Sequence, residues 1–163
     1  MKRIARFEFV SKERFIADCK AENAEDIYHS LKLPSRATKG SAGYDFYLPF
    51  DLDLKPGETA AIPTGIRVKM DEGWVLKLYP RSGLGFKYRL QLNNTVGIID
   101  GDYYYSDNEG HIFAKITNDT NEAKEIKLEA GMGFMQGIFV EYGITEDDEA
   151  SDIRNGGFGS TDN

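Results

Sequence analysis

The chain carries one cysteine, Cys19, and two histidines, His29 and His111, among 163 residues. A lone thiol excludes an internal disulfide, and with only two imidazoles beside it a Cys/His metal cage is excluded as well. Positive charge is also scarce: 20 Lys and Arg stand against 27 Asp and Glu, for a net charge of −7. Broad binding to nucleic acid draws its energy from clustered cations that release counterions, so no nucleic-acid partner is expected. No apolar run reaches membrane-spanning length, and the basic start "MKRIARFEFV" lacks the apolar stretch of a signal peptide, so a cytoplasmic protein with no membrane partner is expected. G-x-x-x-x-G-K-[ST] is missing, as is a G-x-G-x-x-G at a strand-to-helix junction, which removes the glycine-rich helix entries of the common mononucleotide folds. Any chemistry must come from carboxylates, hydroxyls, guanidinium groups and backbone amides.

What is present points to one domain over residues 1–163, with 40% hydrophobic residues and 12% aromatics for a core. "RIARFEFV" suits a strand with one buried face. Residues 11–33 change texture: Phe15, Ile16, Cys19, Ile27 and Leu31 fall at roughly helical spacing after a candidate N-cap, Ser11, and before Pro34, which predicts one helix or two short ones. From Gly43 onward helical spacing disappears. Strands are predicted at 44–48, 58–63, 66–69, 74–79, 90–95, 111–118, 124–128 and 135–142, separated by turn signals such as "KPGE" and "DEG". Many short strands in one domain predict an all-β sandwich, barrel or jelly roll. The ending "RNGGFGSTDN" follows an acidic stretch, has little to bury, and is expected to be a mobile arm over 153–163.

Four stretches break strand logic. In "SAGYDF" Gly43 suits a turn, while Asp45 sits between two rings where a carboxylate is disfavoured in a strand. "YPRSGLG" places a fixed cation, a hydroxyl and accessible amides within three residues, Arg81, Ser82 and Gly83, which suits anionic oxygens better than a plain turn does. "GIIDGDYYY" sets two carboxylates one residue apart ahead of three rings. The terminal arm combines Arg154, Phe158, Ser160 and Thr161, a cation and hydroxyls for phosphate and a ring for stacking.

Taken in order, these stretches resemble the homotrimeric all-β deoxyuridine triphosphate nucleotidohydrolases, the dUTPases. The five motifs of that family read "AGYD" at 42–45, "PRSGLG" at 80–85, "NTVGIIDGDY" at 94–103, "GMGFMQGIF" at 131–139 and "RNGGFGST" at 154–161, about three quarters of the chain. The resemblance implies a distorted jelly roll of the β-clip type, a homotrimer with shared active sites, and Mg²⁺-dependent hydrolysis of dUTP to dUMP and pyrophosphate. Asp100 is then the base that deprotonates the water attacking the α-phosphate. Tyr103 packs where a 2′-hydroxyl would lie, and Asn94, Gly97, Ile98 and Ile99 read the uracil. Arg81, Ser82, Gly83 and Gln136 contact phosphates, and Asp45 acts on Mg²⁺ indirectly, through water. Arg154, Gly159, Ser160 and Thr161 close on the phosphates while Phe158 stacks on the base.

Some positions depart from the pattern. Arg154 stands four residues before Phe158, one fewer than in many relatives; Asp162 follows Thr161 where a glycine is usual; and Arg89 takes a position where a glycine is common, with no assigned role. The helical insert at 11–33 lies outside the motifs, and the extension at 104–110 is longer than in the shortest relatives. Both are open between decoration of the trimer and a surface for a regulatory protein partner. Asp102 is read as supporting its hairpin. A dCTP deaminase is the rival within the superfamily and lacks its own signature here; a purely structural jelly roll leaves the five motifs unexplained.

Overall fold

A computed structural model describes residues 1–154. The first strand, β1 (Ala5–Phe9), runs into helix α1 (Lys12–Cys19) and a shorter α2 (Ala24–Ser30). The predicted insert is thus two helices, and Ser11 does cap the first, its Oγ accepting the Arg14 N–H at 3.1 Å. Its apolar side does not project: Phe15 is fully buried with Val10 and Ile27 in a small core that meets the main one at Phe50. Burying a side chain of that size contributes roughly 1.5–3 kcal/mol, enough to bind the insert to the body of the domain.

The rest is mostly β: β2 (Tyr44–Tyr47), β3 (Leu52–Leu54), β4 (Thr59–Pro63), β5 (Ile66–Met70), β6 (Trp74–Pro80), β7 (Leu90–Leu92), β8 (Gly97–Ile99), β9 (Phe113–Asn118), β10 (Ile126–Leu128) and β11 (Gly133–Glu141). All named pairs are antiparallel, in sheets ordered β1-β5, β10-β3, β2-β11-β6-β8 and β4-β9-β7. Alternation drives the layering: in β3, β7 and β10 the outer two residues are buried and the middle one exposed, as one-sided antiparallel strands require. The buried faces meet in a core built from Phe46, Ile62, Leu76, Leu90, Ile116, Ile126 and Phe134.

Three local expectations need correction. Residues 82–88, placed in a region without helices, form α3 (Ser82–Tyr88). None of its residues is fully buried, and only Leu84 and Tyr88 pack against the core, too little of a stripe to betray it in the sequence. Its C-cap is Arg89, at φ 53, the left-handed conformation that glycine adopts without a Cβ penalty. Strand 90–95 ends at Leu92, because the chain turns sharply: Thr95 sits at φ 68 and the Val96 N–H bonds the Asn94 carbonyl at 2.7 Å, a γ-turn. Residues 97–105 are not a hairpin. They are the edge strand β8, paired with β6, followed by a 3₁₀ turn over Gly101–Tyr105; β3 and β8 were too short to announce themselves.

Candidate active site

The γ-turn delivers the chain into β8, and β8 lies unusually close to β6. A Cβ on Gly97 would stand 2.9 Å from the Leu78 Cβ, so only glycine allows this approach. One residue past β8, Asp100 takes extended backbone as the residue preceding the 3₁₀ turn, with the Tyr103 N–H on its carbonyl at 3.2 Å. That turn lifts the two carboxylates out of the sheet and folds the Tyr103 ring back beneath them.

A cleft of about 250 Å³ results, lined by Asn94, Gly97, Ile98, Ile99, Asp100, Tyr103 and Arg154, with Leu78 and Phe113 among its walls. Seven residues named from the sequence therefore meet in one place. Tyr103 is buried; its hydroxyl donates to the His111 carbonyl at 2.7 Å and accepts from Asn108 Nδ2 at 2.8 Å. Burial pushes its pKa above the ordinary value of 10, keeping the phenol neutral. Arg154 closes the side of the cleft, its guanidinium 2.5 Å from Asp100 and 2.9 Å from Asp102. Asp102, read as a support for its own hairpin, is instead half of an Arg154 clamp.

A second group assembles elsewhere on the same sheet. Gln136 on β11 pairs with Asp45 on β2 and Tyr79 on β6, and Arg81 sits just past the end of β6 with its Nε 3.2 Å from Asp45. Gln136 Nε2 donates to the Pro80 carbonyl at 3.3 Å. Gly43 leaves room for the amide: a Cβ there would be 2.6 Å from Gln136 Oε1. Ser82 and Gly83 open α3 beside Arg81. Arg81, Ser82, Gly83, Gln136 and Asp45 thus form a polar corner, but they do not line the Asp100 cleft. Asp45 and Gly97 occupy the two edge strands of a four-stranded sheet, three strand spacings or roughly 14 Å apart. Phe158, Gly159, Ser160 and Thr161 lie outside the described residues.

Several residues supporting the cleft were not singled out in the sequence for this role. Asn108 and His111 hold the Tyr103 hydroxyl, and Asp18 holds the His111 ring at 2.6 Å. His111 entered the sequence reading only to exclude a metal cage and as the first residue of a predicted strand; in the structure it is fully buried, two residues before β9. Tyr104 is also bound, its hydroxyl donating to Glu8 at 2.7 Å with the Arg67 guanidinium 4.4 Å over its ring.

Comparison with known proteins bears on the family and the fold. The sequence model of the dUTPase family matches residues 29–162. The deoxyuridine 5′-triphosphate nucleotidohydrolase of Lactococcus lactis is 42% identical over 134 residues, covering 80% of this chain and 88% of the relative. That of Paraburkholderia phytofirmans is 40% identical over 136 residues, with the same coverages, 80% and 88%. The crystal structure of dUTPase from Streptococcus mutans superposes with a TM-score of 0.66 at 35% identity, covering 86% of this chain and 98% of that one. With a mostly β body of antiparallel sheets, a matching family model over most of its length and relatives near 40% identity, the chain belongs to the dUTPase family.

Proposed function

We propose that this chain hydrolyses dUTP to dUMP and pyrophosphate, with Asp100 as the base that holds and deprotonates the water attacking the α-phosphate. One observation carries the reading: a carboxylate, a buried aromatic ring and the open backbone of Gly97–Ile99 share a single cleft. Catalysis then comes chiefly from positioning the water and the phosphate against this carboxylate. The Tyr103 hydroxyl is already committed on both sides, so it is the ring that bounds the sugar, excluding a 2′-hydroxyl by shape. Gly97 brings backbone close enough for Asn94, Ile98 and Ile99 to read the uracil edge.

The polar corner at Arg81, Ser82, Gly83 and Gln136 is assigned to phosphate. Because Arg81 follows Pro80 at one end of β6, whereas Asp100 follows Ile99, whose partner Leu76 lies towards the other end, one chain does not complete a triphosphate site, which supports a homotrimer in which a neighbouring copy supplies the corner. Arg154, Phe158, Gly159, Ser160 and Thr161 are assigned to closure over the nucleotide. Mg²⁺ fits this donor set indirectly: Asp45 is a single carboxylate already paired with Arg81, and among the described residues no group of three His, Cys, Asp or Glu side chains could cage a metal. A metal that keeps its waters and is held by the triphosphate needs no cage, with Asp45 reaching it through water, and there it would neutralise charge developing on the phosphates. The reading further assigns one jelly-roll domain over residues 1–163 and a cytoplasmic setting; among the described residues no helix is long and apolar enough to cross a membrane.

Pyrophosphate release measured with dUTP, dTTP, dCTP and UTP in the presence of Mg²⁺ tests the proposal. A strong preference for dUTP is expected. Equal turnover of all four would refute it, and ammonia released from dCTP would favour the deaminase instead.

A further inference from the structure

We propose that the helical insert and the 104–110 extension form one device that positions Tyr103, with Asp18 acting through His111 and Asn108 acting directly on the hydroxyl. The proposal rests on the reading of Tyr103 as the boundary of the sugar pocket.

The insert is tied to the extension and to His111, the residue just after it, through the two ends of α1. At its start, the Ser11 N–H and Oγ donate to the two oxygens of Glu109, at 2.7 and 2.6 Å. At its end, Asp18 Oδ2 lies 2.6 Å from His111 Nδ1. The tautomer follows from the other side of the ring: His111 Nε2 lies 2.8 Å from the Gly65 nitrogen and accepts its N–H, so it carries no proton, and Nδ1 must hold the one that Asp18 receives. A fully buried ring anchored at both nitrogens fixes its own backbone, and the His111 carbonyl is the acceptor for the Tyr103 hydroxyl at 2.7 Å. Asn108 supplies the complementary donor at 2.8 Å, and its Oδ1 is held by the Gly110 N–H at 3.2 Å. Gly110, at φ 68, brings the extension back onto the Tyr103 backbone: a Cβ there would be 2.7 Å from the Tyr103 carbonyl oxygen.

Every polar atom of the Tyr103 side chain is therefore occupied by this device, and none is left for the sugar. The consequence concerns specificity. A pocket that only adds or lacks space for a hydroxyl discriminates weakly if its wall can give way, so a ring that rejects ribose by shape must be unable to move. Asp18 and Asn108 are positioning residues: they touch no substrate, and their effect passes through the ring.

The test compares kcat and KM for dUTP and UTP in Asp18→Ala, Asp18→Asn, Asn108→Ala, Tyr103→Phe and the Asp18→Ala/Tyr103→Phe double variant, with Tm recorded for each. Asp18→Ala is expected to reduce the dUTP-over-UTP ratio of kcat/KM by about 3- to 30-fold, the range of directly coupled neighbours. Most of the change should be a gain on UTP. Asp18→Asn, which keeps an acceptor for Nδ1–H, should restore the ratio. In the Tyr103→Phe background, Asp18→Ala should lower Tm without changing the ratio further. A lower Tm with an unchanged ratio in both Asp18→Ala and Asn108→Ala would overturn the proposal, as would additive effects in the double variant. Should Asp18→Ala not fold, Asn108→Ala decides alone. If the wild-type protein shows no preference for dUTP over UTP, it is the sugar-boundary reading that fails, and the ring resonances of ¹³C-labelled Tyr103 then decide. They must shift in Asp18→Ala and return in Asp18→Asn; a ring that does not respond overturns the proposal.

Discussion

The guanidinium of Arg154 spans both carboxylates of the turn after β8, its Nη2 2.5 Å from Asp100 and its Nε 2.9 Å from Asp102. Within one chain, the first residue of the family's terminal motif lies on the proposed base. A phosphate entering the site competes for the same cation. Replacing Arg154 by Gln removes a charge-assisted contact worth about 1.5–3 kcal/mol, so kcat/KM for dUTP should fall about 10- to 100-fold, mostly through KM. Steady-state kinetics checks this; an unchanged KM would show that Arg154 serves the carboxylates alone.

Asp100→Asn keeps the shape of the cleft and removes the proton acceptor. Turnover should drop about 10²- to 10⁴-fold, with dUTP affinity within a few-fold of wild type. Single-turnover rates and equilibrium binding separate the two effects, and near-normal turnover would mean that another group activates the water.

Gly97→Ala forces a methyl group to 2.9 Å from the Leu78 Cβ on the neighbouring strand, where backbone-proximal atoms cannot swing aside. Overpacking of this kind costs about 1–3 kcal/mol. A drop in Tm is expected together with weakened nucleotide binding, since β8 must move away from β6. Gly101→Ala is the control: its added Cβ would meet only Met70 Cγ at 3.6 Å, an ordinary contact, and its stability should change by less than about 0.5 kcal/mol.

Stability should fall in two stages as the solution is acidified. Burial pushes the His111 pKa below its ordinary 6.5, against the opposing pull of Asp18. The unfolded chain then binds a proton that the folded one resists, so this contribution is complete above about pH 6.5 and is lost as pH falls from there towards the lowered folded value. Glu109 and Glu8 follow at lower pH. For Glu109, burial raises the pKa but the Ser11 bonds outweigh it; for Glu8, the Tyr104 hydroxyl is the main cause of the depression. Their contributions are present above the ordinary 4.5 and are lost below it. Thermal unfolding from pH 8 to pH 2 measures both stages, and His111→Gln should flatten the first while leaving the second.

Arg89 occupies a left-handed C-cap, φ 53, and its guanidinium pairs with Asp119 at 3.0 Å on the surface. An exposed ion pair contributes little, whereas a side chain in this conformation costs about 1 kcal/mol relative to glycine. Arg89→Gly should therefore leave stability unchanged or raise it by up to about 1 kcal/mol in denaturant unfolding.

The fold was legible where strand-forming residues and length were both present. β6, β9 and β11 were placed to within two residues at each end, because six to nine positions rich in strand-forming and apolar residues stand between clear turn signals, with clean alternation of burial only in β9. β3 and β8, three residues each, have no room for a period, and α3, seven residues with only Leu84 and Tyr88 partly buried against the core, is too short to show a stripe. The insert was recognisable as helical because Phe15 and Cys19, and Ile27 and Leu31, each stand four residues apart and pack into the small core. Its purpose was not recognisable, since the contacts that define it join Ser11 to Glu109 across 98 positions and Asp18 to His111 across 93.

By itself the sequence determined the family and the chemical vocabulary, because motifs such as "PRSGLG" and "GIIDGDY" are local and their residue types state what they can bind. It also separated Asp100 from Asp102 and Tyr103 from the two rings after it. Only the tertiary structure decided what these groups face. It set Asp100 and Tyr103 in one cleft with Gly97, and put the Arg81–Asp45 corner outside that cleft, past the far end of β6. It laid Arg154 across the two carboxylates, and it joined an insert and an extension of no evident role into the support of a single ring. The physical reason is range: helical spacing, alternation and motif chemistry act over a few residues, whereas a hydrogen bond between residues a hundred positions apart exists only once the packing of the core has brought them together.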